Sequence, residues 1–316
     1  MLILEAKIMK MSRVLVTGGA GFIGSHLVDR LVAEGSQVTV LDNFQMGTKE
    51  NLGGCLTKIR LVKGDIRDHD LVDKITKECR PDVIYHLAAN ASVPNSVRDP
   101  RYNFETNVTG TFNLLYSLVG HKIEKFVFAS SAAVYGESTK AVKESDPTNP
   151  VSPYGASKLC GEALGFSFKQ TFSIPFVAAR IFNVYGPRLS HYVMYDFYKK
   201  LKENPRILKV MGDGKQARQF CYVDDAVDAL MLIAGKGGGI YNVAGAEPIL
   251  IEKLAEIVSS KIAPRAEISF TGSSWSGDIK SLLADISKLK RIGFRPKMSL
   301  ERGLEISLKW LDGNRE

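Results

Sequence analysis

The chain has 316 residues, with 42 Lys and Arg against 34 Asp and Glu, a formal net charge of +8. At 45% hydrophobic and 24% charged it has the composition of an ordinary globular protein with length for about two domains. No apolar run approaches the roughly 18 residues of a membrane span, and Cys55, Cys79, Cys160 and Cys221 lie too far apart for a zinc site or a disulfide framework, which fits a reducing cytoplasm. The basic balance leaves two readings open, a nucleic-acid binder or a cleft for anionic small molecules. Residues 1–10 carry a short apolar start and an early Glu5, a poor signal peptide, and are read as an extension outside the fold.

From Arg13 onward, short β-branched runs alternate with helical patterns. RVLVT (13–17), QVTVL (37–41), KIRLV (58–62), DVIYH (82–86), KFVFA (125–129) and PFVAAR (175–180) read as buried strands. Apolar residues at helical spacing mark helices over 22–34, 70–79, 104–119 and 154–171. This alternation predicts an α/β fold with a doubly wound parallel sheet of Rossmann type, its ligands at the carboxyl ends of the strands. After Arg180 the rhythm loosens into the loop NVYGPRLSH, a helix over 193–202, a strand over 207–211 and the turn GDGK. A helix over 223–234 and a strand over 239–245 follow, then helices around 250–262, 286–292 and 300–311. The expected division is a dinucleotide-binding domain from residues 11–182 plus 222–246, and a smaller discontinuous α/β lobe from 183–221 plus 247–316.

The segment TGGAGFIG (17–24) follows the first strand and opens the first helix. Gly18, Gly21 and Gly24 permit a tight turn, and the amides of Phe22 and Ile23 at the helix start would face a pyrophosphate. Asp42 ends the second strand 18 residues after Gly24, where a carboxylate takes the ribose hydroxyls and repels a 2′-phosphate. No arginine follows it directly, so NAD is favoured over NADP, with Asn43 assigned to the same end. Asp65 and Ile66 close the third strand; Asp65 is placed at the adenine amino group, with a plain loop role as the alternative. The small residues of Leu87-Ala88-Ala89 would let backbone lie against the cofactor, or simply pack. Asn107, polar on an apolar helix face, is assigned to the cofactor, with a buried structural amide as the alternative.

Catalytic chemistry is carried by Tyr154-Gly155-Ala156-Ser157-Lys158. Residues four apart share a helix face, so the Lys158 ammonium is expected to lower the Tyr154 pKa and make it a proton acceptor for an alcohol. Ser130 and Ser131 end the fifth strand and bring a hydroxyl beside the pair.

Together with SSAAVYG (130–136), SPYGASK (152–158), RIFNVYGPR (180–188) and ARQFCYVDDAV (217–227), these segments resemble the extended short-chain dehydrogenase/reductase family. Within it the likeness is to nucleotide-sugar 4-epimerases of the UDP-glucose 4-epimerase type, over residues 13–311. The resemblance implies a UDP-sugar substrate, bound NAD, a homodimer through the helices at 104–119 and 154–171, and neither nucleic acid nor membrane as partner. It makes Tyr154, assisted by Ser131 and Lys158, the group that removes the proton of the sugar 4-hydroxyl. Asn183, Val193, Arg218 and Asp278 fall at positions that hold the nucleotide and diphosphate, and Phe182 lies near the nicotinamide. UDP-glucuronate 4-epimerases and other nucleotide-sugar oxidoreductases are the alternative, an idle NAD sensor a remote one. Related dehydratases carry Asp-Glu after the catalytic Ser/Thr and decarboxylases a Glu in that segment, where this chain has Ala132 and Ala133. Two departures from the family pattern stand out: Trp275 replaces a second diphosphate arginine, so that either Arg188 or Lys280 compensates or Trp275 itself packs against the nucleotide, and Ala91 replaces a lysine of the pyrophosphate loop. Leu282 aligns with the position whose bulk admits or excludes an N-acetyl group.

Overall fold

The computed structural model describes residues 12–273 and 281–313. Five strands, β1 (Arg13–Thr17), β2 (Gln37–Asp42), β3 (Arg60–Lys63), β4 (Val83–His86) and β5 (Lys125–Ser131), join the strands Phe176–Ile181 and Gly239–Val243 in a seven-stranded sheet. Every pairing is parallel. From one edge the order is Gly239–Val243, Phe176–Ile181, β5, β4, β1, β2, β3. The winding reverses between β1 and β4, and sheets of this kind bind their ligands at the carboxyl ends of the strands beside such a switch point.

Side chains alternate across the sheet and build a core on each face. Val14 and Val16 of β1 face helix α1 (Phe22–Ala33) and the helix Val223–Lys236, in a cluster with Leu27, Leu31, Leu230 and Ile233. Leu15 faces the opposite way, into a cluster with Ile84, Phe126, Phe128 and Phe176 beneath α2 (His69–Cys79) and the helices Gly110–Tyr116 and Pro153–Phe172. On the edge strand Gly239–Val243, the Ile240 carbonyl accepts from Lys288 Nζ at 2.7 Å and the Asn242 amide donates to Glu144 Oε1 at 2.9 Å, so side chains cap part of the open edge.

Much of the chain after Ile181 packs around a third cluster that includes Tyr185, Phe197, Leu201, Leu208, Leu254 and Leu304, while Leu282, Ile286, Leu289 and Phe294 join the first. Here the structure adds strands that the sequence pattern hid. Asn183–Tyr185, read as loop, pairs in parallel with Ala217–Tyr222, which pairs antiparallel with Pro248–Leu250. Glu267–Phe270 pairs with Ile207–Val210. These strands are short and their partners distant in sequence, so no local period announces them. The helix expected over 104–119 is also divided: Pro100–Phe104 and Gly110–Tyr116 flank a π-turn at Glu105–Thr109.

Candidate active site at the carboxyl end of the parallel sheet

The turn after β1 is held tightly from below. Gly18 adopts φ +72°, and a Cβ there would meet the Ala88 amide nitrogen at 2.6 Å. A Cβ on Gly24 would lie 2.1 Å from the Gly18 carbonyl, so only glycine lets α1 start this close to the turn. Gly21 is the N-cap of α1, which has no side-chain cap and no acid in its first turn. The side chains of Phe22 and Ile23 pack into the third and first clusters, and the first amides of the helix are left without a competing anion of the chain's own, a ready seat for a pyrophosphate.

Asp42 is buried and braces this turn. Its Oδ2 accepts from the Ala20 amide at 2.9 Å and its Oδ1 from the Phe44 amide at 2.8 Å. Burial raises its pKa against the lowering effect of those two amides. A carboxylate offers about four lone-pair sites, so two remain for ribose hydroxyls. Asn43 donates to Asp65 Oδ2 at 2.9 Å, and Asp65 also holds the backbone and guanidinium of Arg67 at 2.9–3.0 Å. Burial would raise the Asp65 pKa, but the Arg67 bonds and Asn43 outweigh it and the net shift is downward. Asp65 is thus committed to an internal cluster, with Arg67 lying 4.7 Å over the Tyr102 ring; sequence reasoning had no signal for this partner. The Ile66 side chain is spent in the core. Leu87 packs against the first cluster, while Ala88 and Ala89 stand half-buried just after β4. Asn107, assigned to the cofactor with a structural amide as the alternative, makes the contacts of a structural amide: its Oδ1 accepts the Asn90 amide at 2.8 Å and its Nδ2 donates to the Asn90 carbonyl at 3.2 Å and Ser157 Oγ at 2.9 Å. Both amide hydrogens are consumed by the fold. With these groups the turn, the open helix start and Asp42 fit NAD.

Ser152 caps the helix Pro153–Phe172 by accepting the Gly155 amide, and Pro153 occupies its first turn, so the chain enters helix just before Tyr154. Tyr154 and Lys158 project from the same face. Burial pushes the Tyr154 phenol up to about 12, partly offset by a hydrogen bond with Ser131. Lys158 is 4% exposed, donates to the Ala129 carbonyl at 2.8 Å, and lies 6.0 Å from the Tyr154 ring centre. Burial pulls its ammonium down to about 7. The expected lowering of Tyr154 by Lys158 is therefore not a property of the pair alone, because desolvation drives both groups toward neutrality. Ser131 is fixed by accepting the Ala133 amide at 3.1 Å. Strand alternation separates it from Ser130, which donates to Glu162 Oε1 at 2.5 Å. Glu162 in turn forms a buried, two-pronged ion pair with Arg180, at 2.9 and 2.7 Å. Sequence reasoning missed that pair beside the catalytic helix, since a Glu on a helix and an Arg at a strand end look like surface residues.

Phe182 is buried, with its ring 6.4 Å from that of Tyr135. Asn183 opens its strand opposite Phe220 in half-buried surroundings. Val193 lies in the first turn of the helix Tyr192–Glu203, and Arg218 lies on Ala217–Tyr222 opposite Ile249, its Nη1 donating to the Ala217 carbonyl at 3.0 Å. Arg188, one of the two candidates to compensate for the absent diphosphate arginine, pairs through Nη2 with Asp29 of α1 at 2.7 Å, and its buried Nη1 has no hydrogen-bond partner among the described residues. Asp278, Trp275 and Lys280 lie outside the described residues. Leu282 is 8% exposed in the same cluster as Ala132 and Phe182.

A glycine turn, a buried acid and a Ser–Tyr–Lys set at one sheet edge define a dinucleotide-dependent enzyme that moves a proton at a hydroxyl-bearing carbon. The profile of the NAD dependent epimerase/dehydratase family matches residues 14–244, and the chain belongs to that family. It is 37% identical to a UDP-N-acetylglucosamine 4-epimerase from Methanobrevibacter ruminantium, solved with UDP-N-acetylmuramic acid, at a TM-score of 0.90 over 97% of this chain and 100% of that one. A Thermus thermophilus UDP-glucose 4-epimerase solved with NAD is 34% identical, with a TM-score of 0.88 over 96% and 99% of the two chains. It is also 36% identical over 312 residues to UDP-glucuronic acid decarboxylase 4 of Arabidopsis thaliana, covering 95% of this chain and 68% of the plant protein.

Proposed function

We propose that the protein catalyses NAD-dependent 4-epimerisation of a UDP-sugar through a transient 4-keto sugar. The observation that carries this reading is the set of Ser131, Tyr154 and Lys158, with Ala132 and Ala133 directly after Ser131. Proton transfer at a carbinol needs the first three; loss of water or carbon dioxide from the ketone would call for an acid where the alanines stand. The glycine turn and Asp42 would hold NAD, whose nicotinamide would accept the C4 hydrogen as hydride and give it back. Tyr154, steadied by Ser131, takes the proton of the 4-hydroxyl and returns it after the ketose has turned. Lys158, buried 6.0 Å from the Tyr154 ring centre, places a charge that can favour the phenolate as the proton moves. Asn183, Val193, Arg218 and Asp278 hold the nucleotide, so binding energy is concentrated far from the carbon that must rotate.

In this reading residues 11–182 with 222–246 bind NAD, and 183–221 with 247–316 close on the nucleotide. A homodimer is part of the proposal. Phe104, Phe112 and Tyr116 are 56%, 40% and 52% exposed on one helical run, with Phe172 at 43% on the catalytic helix beside it, an apolar surface that suits a second copy of the chain. Residence in the cytoplasm is supported by four cysteines that are all unpaired. Purified protein incubated separately with UDP-galactose, UDP-N-acetylglucosamine and UDP-glucuronate should yield the C4 epimer of at least one, read by NMR. Epimerisation of UDP-glucuronate alone would move the assignment to that substrate, and a 4-keto-6-deoxy product would overturn it.

A further inference from the structure

His86 ends β4, is 1% exposed, and has no part in the chemistry above. Its ring lies edge-on to Phe126, 6.0 Å between centres, and tilted on Phe128 at 5.7 Å. Both ring nitrogens are nonetheless engaged: Nδ1 is 2.7 Å from Thr17 Oγ1 and Nε2 is 2.9 Å from Thr111 Oγ1. The proton positions follow from the partners. Thr111 Oγ1 lies 2.6 Å from the Asn107 carbonyl, which only accepts, so the one hydroxyl proton of Thr111 is spent there. Thr111 must then accept from His86 Nε2–H. The ring is neutral, because burial and the nearby Lys158 charge depress its pKa to about 3. Nδ1 therefore accepts the Thr17 hydroxyl proton, and Thr17 Oγ1 accepts the Ala88 amide at 3.3 Å.

Each end of this chain of bonds reaches the working parts. Ala88 is the residue against which the Gly18 turn is pressed. Asn107, in the π-turn, fixes Asn90 and donates to Ser157 Oγ, which donates at 2.8 Å to the carbonyl of Tyr154. A widened turn inside a helix at such a place is a recurrent mark of function.

We propose that His86, as the neutral Nε2–H imidazole, is a positioning residue that fixes the distance between the cofactor cradle and Tyr154. The inference rests on the epimerase reading, since hydrogen and proton must leave the same sugar carbon and its hydroxyl together. Misplacing reacting groups by about 1 Å costs on the order of 100-fold in rate.

The test uses the full protein with bound NAD. Thr111→Val removes the acceptor of His86 without changing volume, Thr111→Ser keeps it, and His86→Phe removes the hub. Turnover per bound NAD should fall about tenfold or more in Thr111→Val and His86→Phe, as misplacement predicts, with the KM for the UDP-sugar little changed and Thr111→Ser near wild type. The deuterium isotope effect with a 4-deuterated UDP-sugar should rise in the two impaired variants. A purely structural loss would lower the folded fraction and leave that isotope effect where it was. Wild-type turnover within about twofold for Thr111→Val, on the same scale, would overturn the proposal. Nitrogen NMR of the imidazole reads the relay without any substrate: it should show a neutral Nε2–H ring at pH 6, and an Nδ1–H ring would overturn the proposal. A wild-type protein that epimerises no UDP-sugar would remove the epimerase reading and leave the NMR result to decide the relay.

Discussion

Lys158 should reduce the stability of the cofactor-free protein, and replacing it should expose by how much. Its ammonium is buried with one carbonyl partner at 2.8 Å, and its pKa drops from 10.5 to about 7. At about 1.4 kcal/mol per factor of ten, that fall is on the order of 5 kcal/mol. The sign follows from proton binding. Below pH 7 both folded and unfolded chains carry the proton and the folded state bears the whole penalty. Between 7 and 10.5 the folded state sheds it first, so stability rises with pH; beyond 10.5 the group contributes nothing further. Lys158→Met removes this dependence. Chemical denaturation at pH 6 and pH 9.5 should show the variant more stable than wild type at pH 6, by up to a few kcal/mol, with the gap closing at pH 9.5. Turnover should fall about 100-fold or more with loss of the group behind the general base. A gap of the same size at both pH values, or a variant less stable at pH 6, would refute the argument.

Tyr154→Phe should retain bound NAD yet lose about 100-fold or more in turnover, measured as product per bound cofactor. Asp42→Ala leaves the Ala20 and Phe44 amides without their acceptor; it should cost about 2–5 kcal/mol in urea unfolding and lower the NAD content of the purified protein. Glu162→Gln strands the buried Arg180 charge and should cost about 3–5 kcal/mol, while the apolar pair Glu162→Leu with Arg180→Met should recover most of it. The proposed homodimer predicts that the wild-type protein sediments as a dimer and that Tyr116→Asp on the exposed apolar face sediments as a monomer.

The large sheet was legible because its strands are buried on both faces and read as unbroken apolar runs; β1 in the structure coincides with the segment 13–17. Tyr154, Lys158, Asp42 and the glycine turn were legible because each sits at a fixed offset from a strand or helix start. Short lobe strands such as Asn183–Tyr185 escaped, since their pairing spans tens of residues. The partners that decide a polar residue's role escaped for the same reason. Asn107 offers an amide that sequence can assign to the cofactor or to the fold, and its contacts with Asn90 and Ser157 come only from the folded chain. His86 looked like the last residue of a strand. Its significance lies in Thr17 and Thr111, which the fold brings to either side of its ring.

The central claim is that hydrogen leaves the sugar C4 and returns to it within one site. The UDP-sugar that the protein epimerises, deuterated at C4 and incubated in ordinary water, should give a C4 epimer that keeps its deuterium at C4, as seen by NMR and mass spectrometry. Product that has exchanged that deuterium for solvent hydrogen would contradict the account.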